Sequence, residues 1–133
     1  MFFHHIGIFV ESIEKGRIHL DNLQLDLTWS EVYDDSDMGV FVQFGRDASG
    51  INYEIIAPNG ARNPVSGSLE SRRNILNHLA YSTSHFDKEV NRLIHETGCI
   101  AISQSTPAVA FGGKRVQFFI NPLNHIIELV EVD

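Results

Sequence analysis

Cysteine, clustered basic charge and long apolar runs are all scarce in this 133-residue chain, and each shortage excludes something. A lone cysteine, Cys99, cannot close an internal disulfide, which fits a reducing compartment and leaves the thiol as a small apolar side chain beside Ile100. Ten Lys and Arg stand against seventeen Asp and Glu, a formal charge of −7, and no basic cluster is longer than "SRR". Such a surface repels nucleic acid and anionic membrane, so neither is expected as a partner. The apolar runs fall far short of the ~20 residues that a membrane span requires. The N-terminus has no basic region followed by a small-residue cleavage site. The expectation is a soluble, untargeted, cytoplasmic protein of one domain, long enough to bury a sizeable core.

What the chain does have is repetition. Sliding it against itself by 73 residues lays "HIGIFVESIEKG" on "HLAYSTSHFDKE" and matches His5 to His78, Ile13 to Phe86 and Lys15 to Lys88. A shift of 74 lays "VQFGRDASGINYEII" on "VQFFINPLNHIIELV" and matches Gln43 to Gln117 and Glu54 to Glu128. The chain reads as two copies of one unit, residues 1–57 and 74–131, joined by a linker at 58–73.

Each copy follows one grammar. A first strand, about residues 3–10, leads into "SIEKGRIHLDNL", where Ser12 suits an N-cap and Ile13, Leu20 and Leu23 recur at helical spacing. In the second copy "NHLAYST" leads into "SHFDKEVNRLIHETG", capped by Ser84, with Phe86, Val90, Leu93 and Ile94 on one face and Gly98 as the stop. Three short strands follow each helix, near 28–34, 39–45 and 51–57, then near 99–103, 114–120 and 124–131. The expected fold is α+β: two tandem βαβββ units, each sheet covered by a helix on one face and free on the other to enclose a cavity.

Alternation assigns the faces. Ile6, Ile8 and Val10 suit packing beneath the helix together with His4, whereas His5, Gly7 and Phe9 point the other way. In "NHLAYST" Leu79 and Tyr81 share one side and His78, Ala80 and Ser82 the other. Val40, Val42 and Phe44 are assigned to the helix side and Gln43 to the cavity, as is Gln117 in "RVQFFI". Glu54 and Glu128 interrupt otherwise apolar strands, and a buried carboxylate must find a cation or a proton. Two imidazoles and two carboxylates related by the repeat make a natural ligand set for one divalent metal. Mixed N and O ligation suits Fe, Mn, Co or Ni, with Zn also admissible. His19, His85, His95 and His125 have no counterpart among these ligands and read as surface or packing residues.

With these residues in view, the sequence resembles the vicinal oxygen chelate superfamily, the group of glyoxalase I, methylmalonyl-CoA epimerase, extradiol dioxygenases and bleomycin-resistance proteins, and above all its epimerase-like branch. "HHIGIFVESIEKG", "NHLAYST", "AFGGKRVQFFINP" and "HIIELVEV" carry the likeness, and "NPVSGSLESRRNILNH" resembles that branch's linker with its short helix. The resemblance implies a cupped, mostly antiparallel sheet around a central metal cavity, with ligands on His5, Glu54, His78 and Glu128, in a homodimer. It also marks departures. Epimerases usually carry glutamine where Glu54 stands, and a further glutamate on the third strand, where "MGVFVQFG" offers only Gln43.

The chemistry implied is proton abstraction next to a carbonyl. The metal chelates two neighbouring oxygens of a small-molecule substrate and stabilises the enediolate. Glu128 is the first choice of base, and Glu54 is its counterpart on the opposite face. The activity expected is that of an isomerase, epimerase or lyase, with acyl-CoA thioesters and 2-oxo compounds as substrate classes. Gln43 and Gln117 either orient substrate oxygens or tie down neighbouring backbone. Lys114 and Arg115 in "FGGKR" either meet a substrate carboxylate or phosphate or sit in a solvated hairpin turn. The linker reads as a crossing first and a lid second. Two other functions stay open: a metal-dependent dioxygenase, which normally needs only two histidines and one glutamate, and a metal-free small-molecule or drug-binding module.

Overall fold

A computed structural model describes the whole chain, Met1–Asp133. It is α+β as expected, with ten strands in an open sheet and three α-helices. Two compact units divide it: His5–Asn77, and His78–Asp133 together with Met1–His4.

In the first unit β1 (Phe2–Phe9) leads to α1 (Ile13–Asp21). Ser12 caps α1 from an extended backbone, its hydroxyl accepting the Lys15 amide at 3.2 Å. The helix settles on the sheet at Gly16, where a Cβ would stand 2.9 Å from Val10 Cγ1 and 3.2 Å from Ile55 Cδ1. Leu23 lies past the end of the helix and is 62% exposed, so the expected apolar row stops at Leu20. The strands β2 (Thr28–Trp29), β3 (Tyr33–Asp35), β4 (Val40–Arg46) and β5 (Asn52–Pro58) complete the unit. β2, β3 and β5 all run antiparallel to β4, while β5 runs parallel to β1. The linker carries one short helix, α2 (Ser66–Ser71).

The second unit repeats the order with β6 (Leu76–Thr83), α3 (Phe86–Glu96), β7 (Ile100–Ala101), β8 (Thr106–Pro107), β9 (Arg115–Ile120) and β10 (Ile126–Glu131). A 3₁₀ turn, Val109–Phe111, precedes β9. β10 runs parallel to β6 and antiparallel to β9. Phe86 and Leu93 of α3 bury themselves against Cys99, Phe119, Ile127 and Leu129. Ile94, expected on that face, is exposed. Ser84 does not cap α3. The N-cap is His85, and the local bond runs from the His85 amide to Thr83 Oγ1 at 3.0 Å.

The strand expected at 28–34 is broken in two, and the one expected at 99–103 is cut to Ile100–Ala101 with a second piece, Thr106–Pro107, beyond it; equivalent serines stand at the two interruptions. Ser30 Oγ accepts the Phe44 amide at 3.1 Å, and Ser103 Oγ accepts the Phe118 amide at 2.9 Å. A side-chain oxygen thus takes the place of a ladder carbonyl, and regular pairing stops there. No helix is long and apolar enough to cross a membrane.

Candidate metal centre

Residues opposite one another in a ladder share a face of the sheet, so register decides which side chains meet. Within His5–Asn77, Glu54 stands opposite Gly7 of β1 and opposite Phe44 of β4. His5, two residues before Gly7, points to the same side. Its Nε2 lies 3.4 Å from Glu54 Oε1, and the two residues are 0% and 5% exposed. Within the second unit Glu128 stands opposite Ala80 of β6 and Phe118 of β9, and His78 precedes Ala80 by two. His78 Nε2 lies 3.2 Å from Glu128 Oε1, and both residues are 4% exposed.

An aromatic ring abuts each imidazole. Phe44 meets His5 edge to face at 5.4 Å between centroids, and Phe118 meets His78 at 5.3 Å, both with interplanar angles of 78°. Val42, Ile56 and Phe9 continue the same face away from Glu54. The carboxylates therefore stand in apolar surroundings that make an uncompensated charge costly.

Each unit thus brings one imidazole and one carboxylate into a buried pair, and all four side chains are of the types that can hold a metal ion. The donor set fits that use. Two donors at right angles, each about 2.1 Å from one ion, are about 3 Å apart, close to the N–O separation in each pair. Two carboxylates also balance the charge of one divalent cation, whereas neutral imidazoles add none.

The glutamines are placed otherwise than expected. Gln43 stands opposite Ile55, which faces Gly16 of α1, and Gln117 stands opposite Leu129, which belongs to the core beneath α3. Both lie on the helix-covered face, and Phe44, assigned to that face, lies on the other. The cause is that both faces of β4 and β9 are covered: where apolar residues occupy both sides, alternation of polarity carries no phase. Gln43 Nε2 donates to the Ser30 carbonyl at 2.6 Å and Gln117 Nε2 to the Ser103 carbonyl at 3.0 Å. Of the two readings open in the sequence, the structure shows the backbone tie, made on the face opposite the His–Glu pairs.

The basic pair after the glycines is also engaged within the protein. Lys114 Nζ pairs with Asp133, which holds the ammonium above its ordinary pKa. Arg115 bonds Asp87 Oδ1 at 2.8 Å and Glu131 Oε2 at 2.6 Å, with its guanidinium 4.6 Å above the Phe86 ring. These carboxylates raise the Arg115 pKa further, and the bonds from Arg115 in turn hold that of Glu131 below its usual value. His4 is half-buried with its ring edge-on to Phe111 at 5.4 Å, not beneath α1. His19, His85 and His95 are exposed, and His125 Nε2 lies 3.1 Å from Asn121 Nδ2.

Sequence reasoning passed over Ser30, Ser103, Phe44 and Phe118 as site-shaping residues. The repeat contains their signal, since Ser30 matches Ser103 at the shift of 73 and Phe44 matches Phe118 at 74.

Known proteins bear on this arrangement. No curated protein sequence matches the chain. Among solved structures, a hypothetical protein from Bacillus halodurans C-125 superposes with a TM-score of 0.81 at 20% identity, covering 98% of this chain and 94% of that one. Methylmalonyl-CoA epimerase from Mycobacterium tuberculosis gives 0.81 at 21% identity, covering 99% and 88%. A Streptomyces coelicolor methylmalonyl-CoA epimerase variant in complex with 2-nitronate-propionyl-CoA gives 0.79 at 16%, covering 98% and 96%. These likenesses establish the fold. The sequence model of the Glyoxalase/Bleomycin resistance protein/Dioxygenase superfamily matches residues 4–118, and the chain belongs to that superfamily.

Proposed function

We propose that this protein is a metal-dependent isomerase or epimerase, or a lyase of related mechanism, in which both His–Glu pairs hold one divalent ion of Co, Ni, Mn, Fe or Zn. The observation that carries the reading is the duplication of a buried His–Glu pair at matching positions of an internal repeat. When bound, the ion supplies Lewis-acid polarisation of a substrate carbonyl and acidifies the neighbouring C–H. Everything else falls to the chain. His5 and His78 present Nε2 as neutral donors. Glu128 takes the proton from the substrate carbon, and Glu54, its counterpart in the repeat, returns one. Phe44 and Phe118 exclude water from the imidazoles. Fold similarity to epimerases that bind acyl-CoA compounds favours a branched acyl thioester, with 2-oxo acids next. The protein is further proposed to be a cytoplasmic homodimer, an assembly that would cover the apolar edge residues Ile100 and Ile102.

Elemental analysis of protein purified without added metal, followed by incubation in D₂O with a 2-methyl dicarboxylic thioester or a 2-oxo acid, tests the proposal. One divalent ion per chain and deuterium at the carbon next to the carbonyl are expected. Absence of bound metal, or turnover of catechols with Fe(II) and oxygen in place of exchange, would overturn it.

A further inference from the structure

We propose that Ser30 and Ser103 are positioning residues, each clamping the strand that seats the aromatic ring against its unit's histidine. In the first unit Ser30 holds Phe44 by both backbone atoms. Its amide donates to the Phe44 carbonyl at 2.8 Å and its hydroxyl accepts the Phe44 amide at 3.1 Å. Its own carbonyl accepts Gln43 Nε2 at 2.6 Å, so the residue before Phe44 is fixed as well. In the second unit Ser103 Oγ accepts the Phe118 amide at 2.9 Å and the Ser103 carbonyl accepts Gln117 Nε2 at 3.0 Å. The Ile102 amide donates to the Phe118 carbonyl at 2.9 Å. The clasp is therefore duplicated at the point where β2–β3 and β7–β8 are interrupted, on the edges of β4 and β9 that face away from their ladders with β5 and β10.

Packing alone does not explain the arrangement. Gln43 is 3% exposed on the helix-covered face and its Oε1 has no hydrogen-bond partner, an expense that an apolar side chain of similar size would avoid. What the bond to Ser30 does secure is the backbone immediately before Phe44. The ring of Phe44 meets the His5 imidazole at 78°, and that of Phe118 meets His78 at the same angle. An imidazole walled on one side by a ring loses part of its rotation about χ2, and Nε2 stays aimed at Glu54 or Glu128. The serines thus act on the ligands at one remove, as hydrogen-bonded supports do around metal sites. The inference rests on the metal-centre reading for its functional meaning, but its geometry concerns the protein without metal.

Nuclear magnetic resonance of the metal-free protein and Co²⁺ titration test it together. Ser30→Ala should shift the imidazole protons of His5 and leave those of His78 in place, with Ser103→Ala doing the reverse. Each variant should bind Co²⁺ about tenfold more weakly. Ser30→Thr, which keeps the hydroxyl, should restore the wild-type shifts. Thr97→Ala, which removes the 2.6 Å bond to the Leu93 carbonyl, should lower Tm without moving either imidazole. Unchanged His5 resonances in folded Ser30→Ala protein would overturn the clasp. A wild-type protein that takes up no Co²⁺ would instead overturn the metal-centre reading, while the imidazole shifts still decide the clasp.

Discussion

His5 and Glu54 answer His78 and Glu128 across the repeat, and that correspondence made the four residues legible in the sequence. A single strand histidine says little, but two matched to two carboxylates at fixed register rarely arise by packing. The sharpest contrast at this scale is between adjacent histidines. Glu128→Ala should lose bound metal and abolish exchange, whereas His4→Ala, which only loses the ring contact to Phe111, should keep both, as read by elemental analysis and D₂O incorporation. The basic residues behave in the opposite way. Arg115 is committed to Asp87, Glu131 and the Phe86 ring, so Arg115→Met should lower Tm while leaving KM for any substrate unchanged. A raised KM with Tm unmoved would return Arg115 to the substrate. Nothing in "FGGKR" revealed this commitment, because Asp87 is 28 residues away and Glu131 is 16.

At the scale of elements the helices and long strands were legible, and the misreadings had physical causes. Ser12 follows the rule for an N-cap and obeys it, whereas Ser84 follows the same rule and is displaced one residue upstream of a helix that starts after His85. Ser12→Ala should therefore cost about 1 kcal/mol in urea unfolding. Ser84→Ala should stay within about 0.5 kcal/mol. The phase of β4 and β9 was lost because Val40, Val42 and Phe44 cover one face while Gln43 sits among apolar partners on the other. Polarity cannot tell two covered faces apart, and only the register with β5 and β10 does so. The turn into β4 is stricter than its sequence "DMGV" suggests. Gly39 has a φ of +73° and any Cβ there would overlap the Arg62 carbonyl, so Gly39→Ala should cost at least about 2 kcal/mol.

For the whole molecule, several charged groups outside the His–Glu pairs are shifted from their ordinary pKa values by partners within the chain, and these tie its stability to pH. Asp47 is held below its usual pKa by the Ile51 amide and by bonds from Tyr53 and Ser49, and Glu131 by Arg115. A carboxylate depressed in the folded state contributes stability that is present above its unfolded value, 3.8 for Asp47 and 4.5 for Glu131, and is lost as pH falls through the lower folded value. Lys114, raised above 10.5 by Asp133, works in reverse: its contribution is present below that value and is lost as pH rises through the higher folded one. Tm should therefore hold a plateau across neutral pH and decline at both ends. Because these groups are half-buried at the surface and remain in reach of solvent ions, both limbs should flatten in high salt. The metal adds a different term. An ion that binds only the folded chain stabilises it by RT ln(1 + [L]/Kd), so chelation at pH 7 should lower Tm in the middle of the plateau, where the surface pairs are fully formed. Chelation should leave the alkaline decline associated with Lys114 at the same pH. Scanning calorimetry with and without chelator across pH reads both effects at once, and a Tm at pH 7 indifferent to chelator would remove the ion from the folded state.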